Sequence, residues 1–361
     1  MKIAIIGTRG IPNNYGGFEQ LAEYLSLGLY AKGHEVYVYN SDKHAYQEKV
    51  WKGIHIIHQP DPEKKIGPAG QFIYDLNCTL NARKYNFDII LNLGYTSSSV
   101  WMWLFPKHSK VITNMDGLEW KRTKYSKKVQ RFLMYAEKLA VKRSDGLIAD
   151  SLAIQAYLLK KYGASSDFIA YGANLFEHPD VKILTAFNVK PYEYNMLIAR
   201  MEPENNIEPI LDGVHLSRSD RPFFVVGNAK NKFGMHLVEK FKKERRIIFT
   251  GPIYDAVIID NLRFYSNLYF HGHSVGGTNP SLLEAMGCRA LIVAHDNEFN
   301  KSILGRDAFY FRSPEDIAIF VETLDKGRED NKAVIENNYL KIKTEYSWDK
   351  IVEQYEKVMT A

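Results

Sequence analysis

The residues best suited to chemistry lie in FHGHSVGGTNPSLLEAMG, residues 270–287, which reads as a strand end, a glycine loop and a capped helix. Asn279 is a good N-cap, Pro280 suits the first helical turn, and Leu282, Leu283 and Met286 give the helix an apolar side. The backbone N–H groups of Gly277, Thr278 and Asn279 then point out of a helix N-terminus, where partial positive charge collects. Such a loop takes a phosphate or a sugar hydroxyl. Glu284, one turn further in, offers a carboxylate to a neutral diol such as a ribose, so one segment can hold both halves of a nucleotide-sugar. The same residues equally fit an ordinary capped helix behind a flexible Gly-Gly loop. His271 and His273, spaced i, i+2 at the strand end, carry metal-binding atoms, but no third ligand or D-x-D motif accompanies them, which favours structural or hydrogen-bonding histidines.

A second glycine loop follows the first strand. MKIAIIG is a short apolar run suited to burial, and GTRGIPNNYGGFEQ precedes the helical spacing of Leu21, Leu25 and Leu29. Glycine-rich turns in this place let backbone approach a ligand, which makes Gly16 and Gly17 candidates for donor contact. Gly7 and Gly10 are spaced i, i+3, so the dinucleotide fingerprint G-x-G-x-x-G is missing, although Asp42 follows VYVYN where a ribose-binding acid would sit.

The elements that must position these loops alternate along the whole chain. FDIILNL, KVITNM and GLIAD read as buried strands of the first half, and MLIAR, PFFVVG, RIIFTG, LYFHG and ALIVAH as those of the second. Alternation of this kind predicts parallel sheets covered by helices on both faces. A length of 361 residues favours two domains, and the stretch 173–194, with Pro179 and Pro191, loses clean periodicity and marks the boundary. Hydrophobic residues at 45% and charged residues at 25% suit folded globular domains rather than disorder.

No signal peptide is evident, and the most apolar stretch, residues 89–106, is broken by Asn92, Thr96 and three consecutive serines, so no membrane span is expected. Two cysteines, Cys78 and Cys288, cannot build a secreted disulfide framework, which points to a reducing cytoplasm. The net charge of +5 is small, but residues 121–143 carry nine Lys or Arg against one Glu, with Phe132, Leu133, Tyr135, Ala136, Leu139 and Ala140 as an apolar side. This stretch reads either as a helix lying on an anionic membrane surface or as a packed helix with a solvated basic face. Nucleic acid is not expected as a partner, since no nucleic-acid module is present.

With GTRGIPNNYGGFEQ, NMDGLEW, LIADSLAIQAYLLKKYG, IAYGAN, IARMEPENNIEPIL, FTGPIYD, SVGGTNPSLLEAMG and YSWDKIVEQYEKVM in this order, the chain resembles glycosyltransferase family 4 nearly end to end. GTRGIPNNYGGFEQ, DGLEWKR, PENN and HSVGGTNPSLLEAMG look most like its rhamnosyltransferase-like subgroup. The resemblance implies the α/β GT-B architecture, two Rossmann-like domains with parallel sheets facing a central cleft. It divides the chain into an acceptor-side domain at 1–172, a nucleotide-sugar domain at 173–345, and a last helix at 346–361 that packs back on the first. It also implies a metal-independent, retaining hexosyltransferase without a cofactor, using a nucleoside diphosphate sugar as donor and a glycan or lipid-linked acceptor in surface polysaccharide synthesis.

Residue by residue, the resemblance makes Arg200 the cation beside the donor diphosphate and Glu284 the ribose ligand. The family lysine five residues after the arginine is here Asn205, which could still donate hydrogen bonds. The first of the family's paired glutamates falls on Gly276, so one carboxylate is missing. Asp116 stands where many members have a histidine, and either binds a donor hydroxyl, orients the acceptor, acts as a base, or simply caps the turn with Gly117. Glu119, Trp120 and Arg122 are implied on the acceptor side, with the indole as a sugar platform. The missing charges leave two other readings: a catalytically decayed nucleotide-sugar-binding scaffold, and a sugar-nucleotide epimerase of the same architecture.

Overall fold

The computed structural model describes residues 1–14, 16–122 and 125–361. Tyr15 of the first glycine loop, and Thr123 and Lys124 of the basic stretch, lie outside the described residues. The chain forms two compact α/β units, Met1–Gly172 with Trp348–Ala361, and Ala173–Ser347.

The first unit is built on an eight-stranded sheet: β1 (Lys2–Ile6), β2 (Glu35–Ser41), β3 (Val50–Trp51), β4 (Ile54–Gln59), β5 (Ile89–Leu93), β6 (Lys110–Asn114), β7 (Gly146–Ala149) and β8 (Asp167–Phe168). Their spatial order is β3-β4-β2-β1-β5-β6-β7-β8, parallel throughout except for the antiparallel edge pair β3/β4. Buried on both faces, the central strands are runs of Ile, Val, Leu and Ala without alternation, as parallel sheets require. The chain leaves β1 towards β2 on one side and returns beside it as β5 on the other. The loops after β1 and β5 therefore flank a topological switch point, the place where open α/β sheets receive ligands.

The helix Trp348–Thr360 completes this unit after the chain has traversed the other. Its Trp348 ring stacks on Tyr24 of the helix Gly17–Ala31 at 4.3 Å between centroids, and Tyr355 accepts a 2.7 Å hydrogen bond from the Asn114 amide at the end of β6.

The second unit carries six parallel strands, β9 (Asn195–Ile198), β10 (Phe223–Val226), β11 (Ile247–Gly251), β12 (Leu268–His271), β13 (Ile292–His295) and β14 (Phe309–Phe311), in the order β11-β10-β9-β12-β13-β14. Phe223, Val225, Leu268, Phe270 and Val293 pack with Ile207, Ile210, Leu211 and Val214 of the helix Ile207–Leu216 into one core. Here the order reverses between the neighbours β9 and β12, so the segments after these two strands face the second switch point. Every segment read from sequence as a strand is one, but β3, β4, β8 and β14 were not anticipated; β3 and β8 are two-residue strands with no period to read. β4 is interrupted by His55 and His58, and β14 is a three-residue edge strand, too short to show a period. No helix among the described residues is long and apolar enough to cross a membrane.

Candidate functional site

In the second unit the two loops at the switch point are laced together. β12 ends at His271, and the chain runs through Gly272 to Asn279 before the helix Pro280–Gly287 begins. Asn279 caps that helix, its side chain accepting the Ser281 N–H at 2.9 Å, while Tyr269 on β12 holds the Ser281 hydroxyl at 2.6 Å. Thr278 is buried beside the cap. The loop from β9 brings up Arg200 and the turn Pro203–Asn205. Ser274 donates both its N–H, at 3.1 Å, and its hydroxyl, at 2.8 Å, to the Glu204 carbonyl, and the Asn206 amide donates to the Gly272 carbonyl at 2.7 Å. A Cβ on Gly272 would stand 2.0 Å from the Asn205 carbonyl oxygen, so only glycine permits this approach.

Arg200 is exposed, and among the described residues its guanidinium makes no ion pair. Asn205 differs from the expectation. Its side chain is buried and donates to the Arg200 carbonyl at 2.7 Å, closing its own loop instead of presenting that N–H to a ligand. Glu284 is likewise engaged: its Oε2 accepts from the Arg263 guanidinium at 2.5 Å, and the same guanidinium holds Asp260 at 2.8 Å. Arg263 is buried in the helix Ala256–Tyr265, four residues after Ile259 and therefore on the helix's inner stripe. That placement was the available signal for it, and it went unread because arginine is seldom a core residue.

One further group, Glu204, escaped the sequence reading, and His271, read there as a structural or hydrogen-bonding histidine, is placed without the bond. Both carboxylate oxygens of Glu204 are shut off from solvent and, among the described residues, have no hydrogen-bond partner, and the same holds for both ring nitrogens of His271, which is 1% exposed. His271 stacks on His273 at 4.4 Å, and burial holds its pKa well below the usual imidazole range, so it is neutral. Among the described residues no group of three His, Cys, Asp or Glu side chains could hold a metal.

In the first unit Gly16 occupies the N-cap of the helix Gly17–Ala31 without any side-chain cap, which leaves the helix-end N–H groups to other partners. Glu19, buried in the first turn, ties the glycine loop to the helix by accepting the Arg9 N–H at 2.9 Å and the Thr8 hydroxyl at 3.2 Å. Asp116 follows β6 half-buried. Among the described residues its carboxylate accepts no hydrogen bond, so the expected cap on Gly117 is not formed. After burial, its charge is the largest cause raising the pKa of the Tyr171 phenol. Glu119 and Arg122 form a 2.6 Å ion pair with each other at 15% exposure apiece. The Trp120 ring lies under the ammonium groups of Lys121 and Lys161, at 5.6 and 5.3 Å. Arg200, Asn205, Gly277, Thr278, Asn279 and Glu284 thus belong to one unit, and Gly16, Gly17, Asp116, Glu119, Trp120 and Arg122 to the other.

Residues 1–174 match a family described as a domain of unknown function (DUF1972). No curated protein matches the chain. Among solved structures it is similar to sucrose-phosphate synthase from Thermosynechococcus elongatus, at 16% identity over 99% of this chain and 98% of that one, with a TM-score of 0.77. It is similar to Anabaena HepE in complex with UDP, at 14% identity over the whole of both chains and a TM-score of 0.75. WaaG, a glycosyltransferase involved in lipopolysaccharide biosynthesis, matches at 15% identity over the whole of both chains with a TM-score of 0.71. The chain has the two-unit GT-B fold of these glycosyltransferases.

Proposed function

We propose that this chain is a retaining glycosyltransferase that moves a sugar from a nucleoside diphosphate sugar to a glycan or lipid-linked acceptor in surface polysaccharide synthesis. The observation that carries this reading is the second switch point, where an exposed Arg200, in no ion pair among the described residues, and a capped helix N-terminus follow adjacent strands of a GT-B fold. The fold's solved examples include HepE in complex with UDP-glucose. Departure of the diphosphate builds negative charge, which preorganised N–H dipoles and a cation stabilise without reorganising. Arg200 supplies the cation, and the N–H groups of Gly277, Thr278 and Asn279 supply the dipoles; Gly16 and Gly17 are the donor contacts proposed on the first unit. Glu284 takes the ribose. The amide of Asn205 acts indirectly, fixing the loop from which Arg200 projects.

In this reading the acceptor oxygen bonds to the anomeric carbon on the face from which the phosphate oxygen leaves, and a donor phosphate oxygen receives the acceptor proton. No protein nucleophile, metal or cofactor is used. Asp116, whose carboxylate accepts no hydrogen bond among the described residues, orients a donor or acceptor hydroxyl, with Glu119, Trp120 and Arg122 on the acceptor side. Rhamnose, carried by dTDP, fits the missing carboxylate at Gly276, since a deoxysugar has fewer hydroxyls to hold; a UDP-sugar is the other donor to test.

A lipid-linked acceptor on the cytoplasmic face of a membrane is supported by the helix Lys127–Arg143. Its one acid, Glu137, is buried and bonded to Lys161, Tyr157 and Tyr162, so its exposed charges are all positive. Beside it Trp103 is 61% exposed, and Val129 and Tyr135 face solvent between Lys127, Lys128, Arg131 and Lys138.

Thermal unfolding against a panel of nucleotide-sugars tests the proposal, because a ligand at a hundredfold excess over its Kd adds about 2.7 kcal/mol. Stabilisation followed by acceptor-dependent turnover is expected. Binding without turnover would mark a scaffold, conversion without an acceptor an epimerase, and no stabilisation by any member would overturn the reading.

A further inference from the structure

Glu204 is a carboxylate with nothing to bind. Its two oxygens are excluded from water and, among the described residues, have no partner, a state that costs the desolvation of each group unless something arrives to meet it. Its backbone is fixed, because the Glu204 carbonyl takes two hydrogen bonds from Ser274, two residues before Gly276. Gly276 has φ of +129°, and an added Cβ there would meet nothing within 4 Å, so this position carries no side chain and leaves open space where the resemblance would put a paired carboxylate. The buried, uncharged imidazole of His271 stands at the strand end of the same segment with one donor and one acceptor unmet.

A ligand suited to these groups must donate to a carboxylate and exchange hydrogen bonds with a neutral imidazole. A hydroxyl does both. A phosphate does neither well, since a carboxylate repels it, and among the described residues no Lys or Arg pairs with Glu204. We infer that Glu204, with His271, binds hydroxyls of the donor sugar, supplying from the neighbouring loop the carboxylate that residue 276 lacks. The two loops then divide the donor: phosphates go to Arg200 and the helix end, and sugar hydroxyls to Glu204. This inference rests on the proposed donor site.

The test separates the two. Titration calorimetry on the full chain compares UDP and dTDP with UDP-glucose and dTDP-rhamnose, for the wild type and for Glu204→Gln, which keeps the shape and removes the charge. Nucleotide affinity is expected to stay within about twofold while nucleotide-sugar affinity falls about 10- to 100-fold. Glu204→Asp, which keeps the charge on a shorter arm, is expected to recover part of the loss and serves as the comparison if Glu204→Gln melts early. An unchanged ratio of nucleotide-sugar to nucleotide affinity overturns the inference, as does an equal loss of both, which would make Glu204 a loop anchor. A wild-type chain that binds none of the four overturns the donor-site reading itself, and this inference with it.

Discussion

The ion pair between Glu284 and Arg263 changes what a substitution at residue 284 reports. Removing one partner of a buried pair leaves an uncompensated charge, so Glu284→Ala is expected to cost about 3 kcal/mol of stability even though Asp260 still holds Arg263. Glu284→Gln keeps the shape but also removes the charge facing Arg263, so the ligand's share is read from affinity measured on the folded variant: nucleoside diphosphate affinity should fall by about 1 to 3 kcal/mol. Calorimetry giving an unchanged affinity would assign Glu284 to the Arg263 pair alone. At Arg200, which has no such structural duty, Arg200→Ala should lower kcat more than donor affinity, because the charge it meets develops on leaving. A change confined to KM would mark a uniform binding contact instead.

Elements were more legible than the contacts between them. The capped helix after the glycine loop could be read from Asn279, Pro280 and the spacing of Leu282, Leu283 and Met286, because caps and apolar periods are local properties of the chain. The inward turn of Asn205 was not legible. It depends on a five-residue loop closing on the Arg200 carbonyl, and on β12 arriving alongside from 66 residues further on, as the Asn206 to Gly272 bond records. Arg263 and Glu204 were hidden for the same reason: burial of a charged side chain is decided by tertiary neighbours, not by its own segment. Glu119 and Arg122 show the converse, since a spacing of three residues allowed them to pair with each other, a use that the acceptor-side reading did not weigh. The basic helix Lys127–Arg143 can be tested as a unit. Changing Lys127, Lys128 and Arg131 to Glu should abolish co-sedimentation with anionic vesicles at low salt and leave nucleotide binding intact, with each basic residue worth about 1 kcal/mol at the surface. Equal binding to neutral vesicles, or none to either, would return the helix to a solvated basic face.

At the scale of the molecule the two units are expected to respond to pH in opposite directions. In the first, burial pushes Asp75 up to about 7, against the pull of the Ser97 hydroxyl that donates to it at 2.5 Å and of Arg9. Between about pH 4 and 7 the native unit keeps a proton that the unfolded chain has released. Its stability therefore falls as pH rises through that window, by about 4 kcal/mol in all. In the second unit burial brings Lys326 down to about 7, its ammonium sitting near the rings of Tyr192 and Phe264. Between about pH 7 and 10.5 the unfolded chain holds a proton that the native unit lacks, so stability rises with pH there. Scanning calorimetry at pH 5, 7 and 9 should show the first unit most stable at the acid end and the second at the alkaline end. Asp75→Asn should flatten the first trend and Lys326→Met the second. Trends that survive these substitutions would trace to other groups.

The return of the helix Trp348–Thr360 to the first unit sets an order on biosynthesis. The Tyr24 ring and the Asn114 amide wait for partners that leave the ribosome only after all of Ala173–Ser347 has been made. At roughly 5 to 20 residues per second, that delay lasts on the order of 10 to 35 seconds. Throughout it the nascent first unit exposes the apolar faces that Trp348, Ile351, Val352 and Tyr355 later cover, while the second unit emerges as one uninterrupted segment able to close on its own. The half of the molecule translated first is thus the half finished last, with its apolar face open in the interval between.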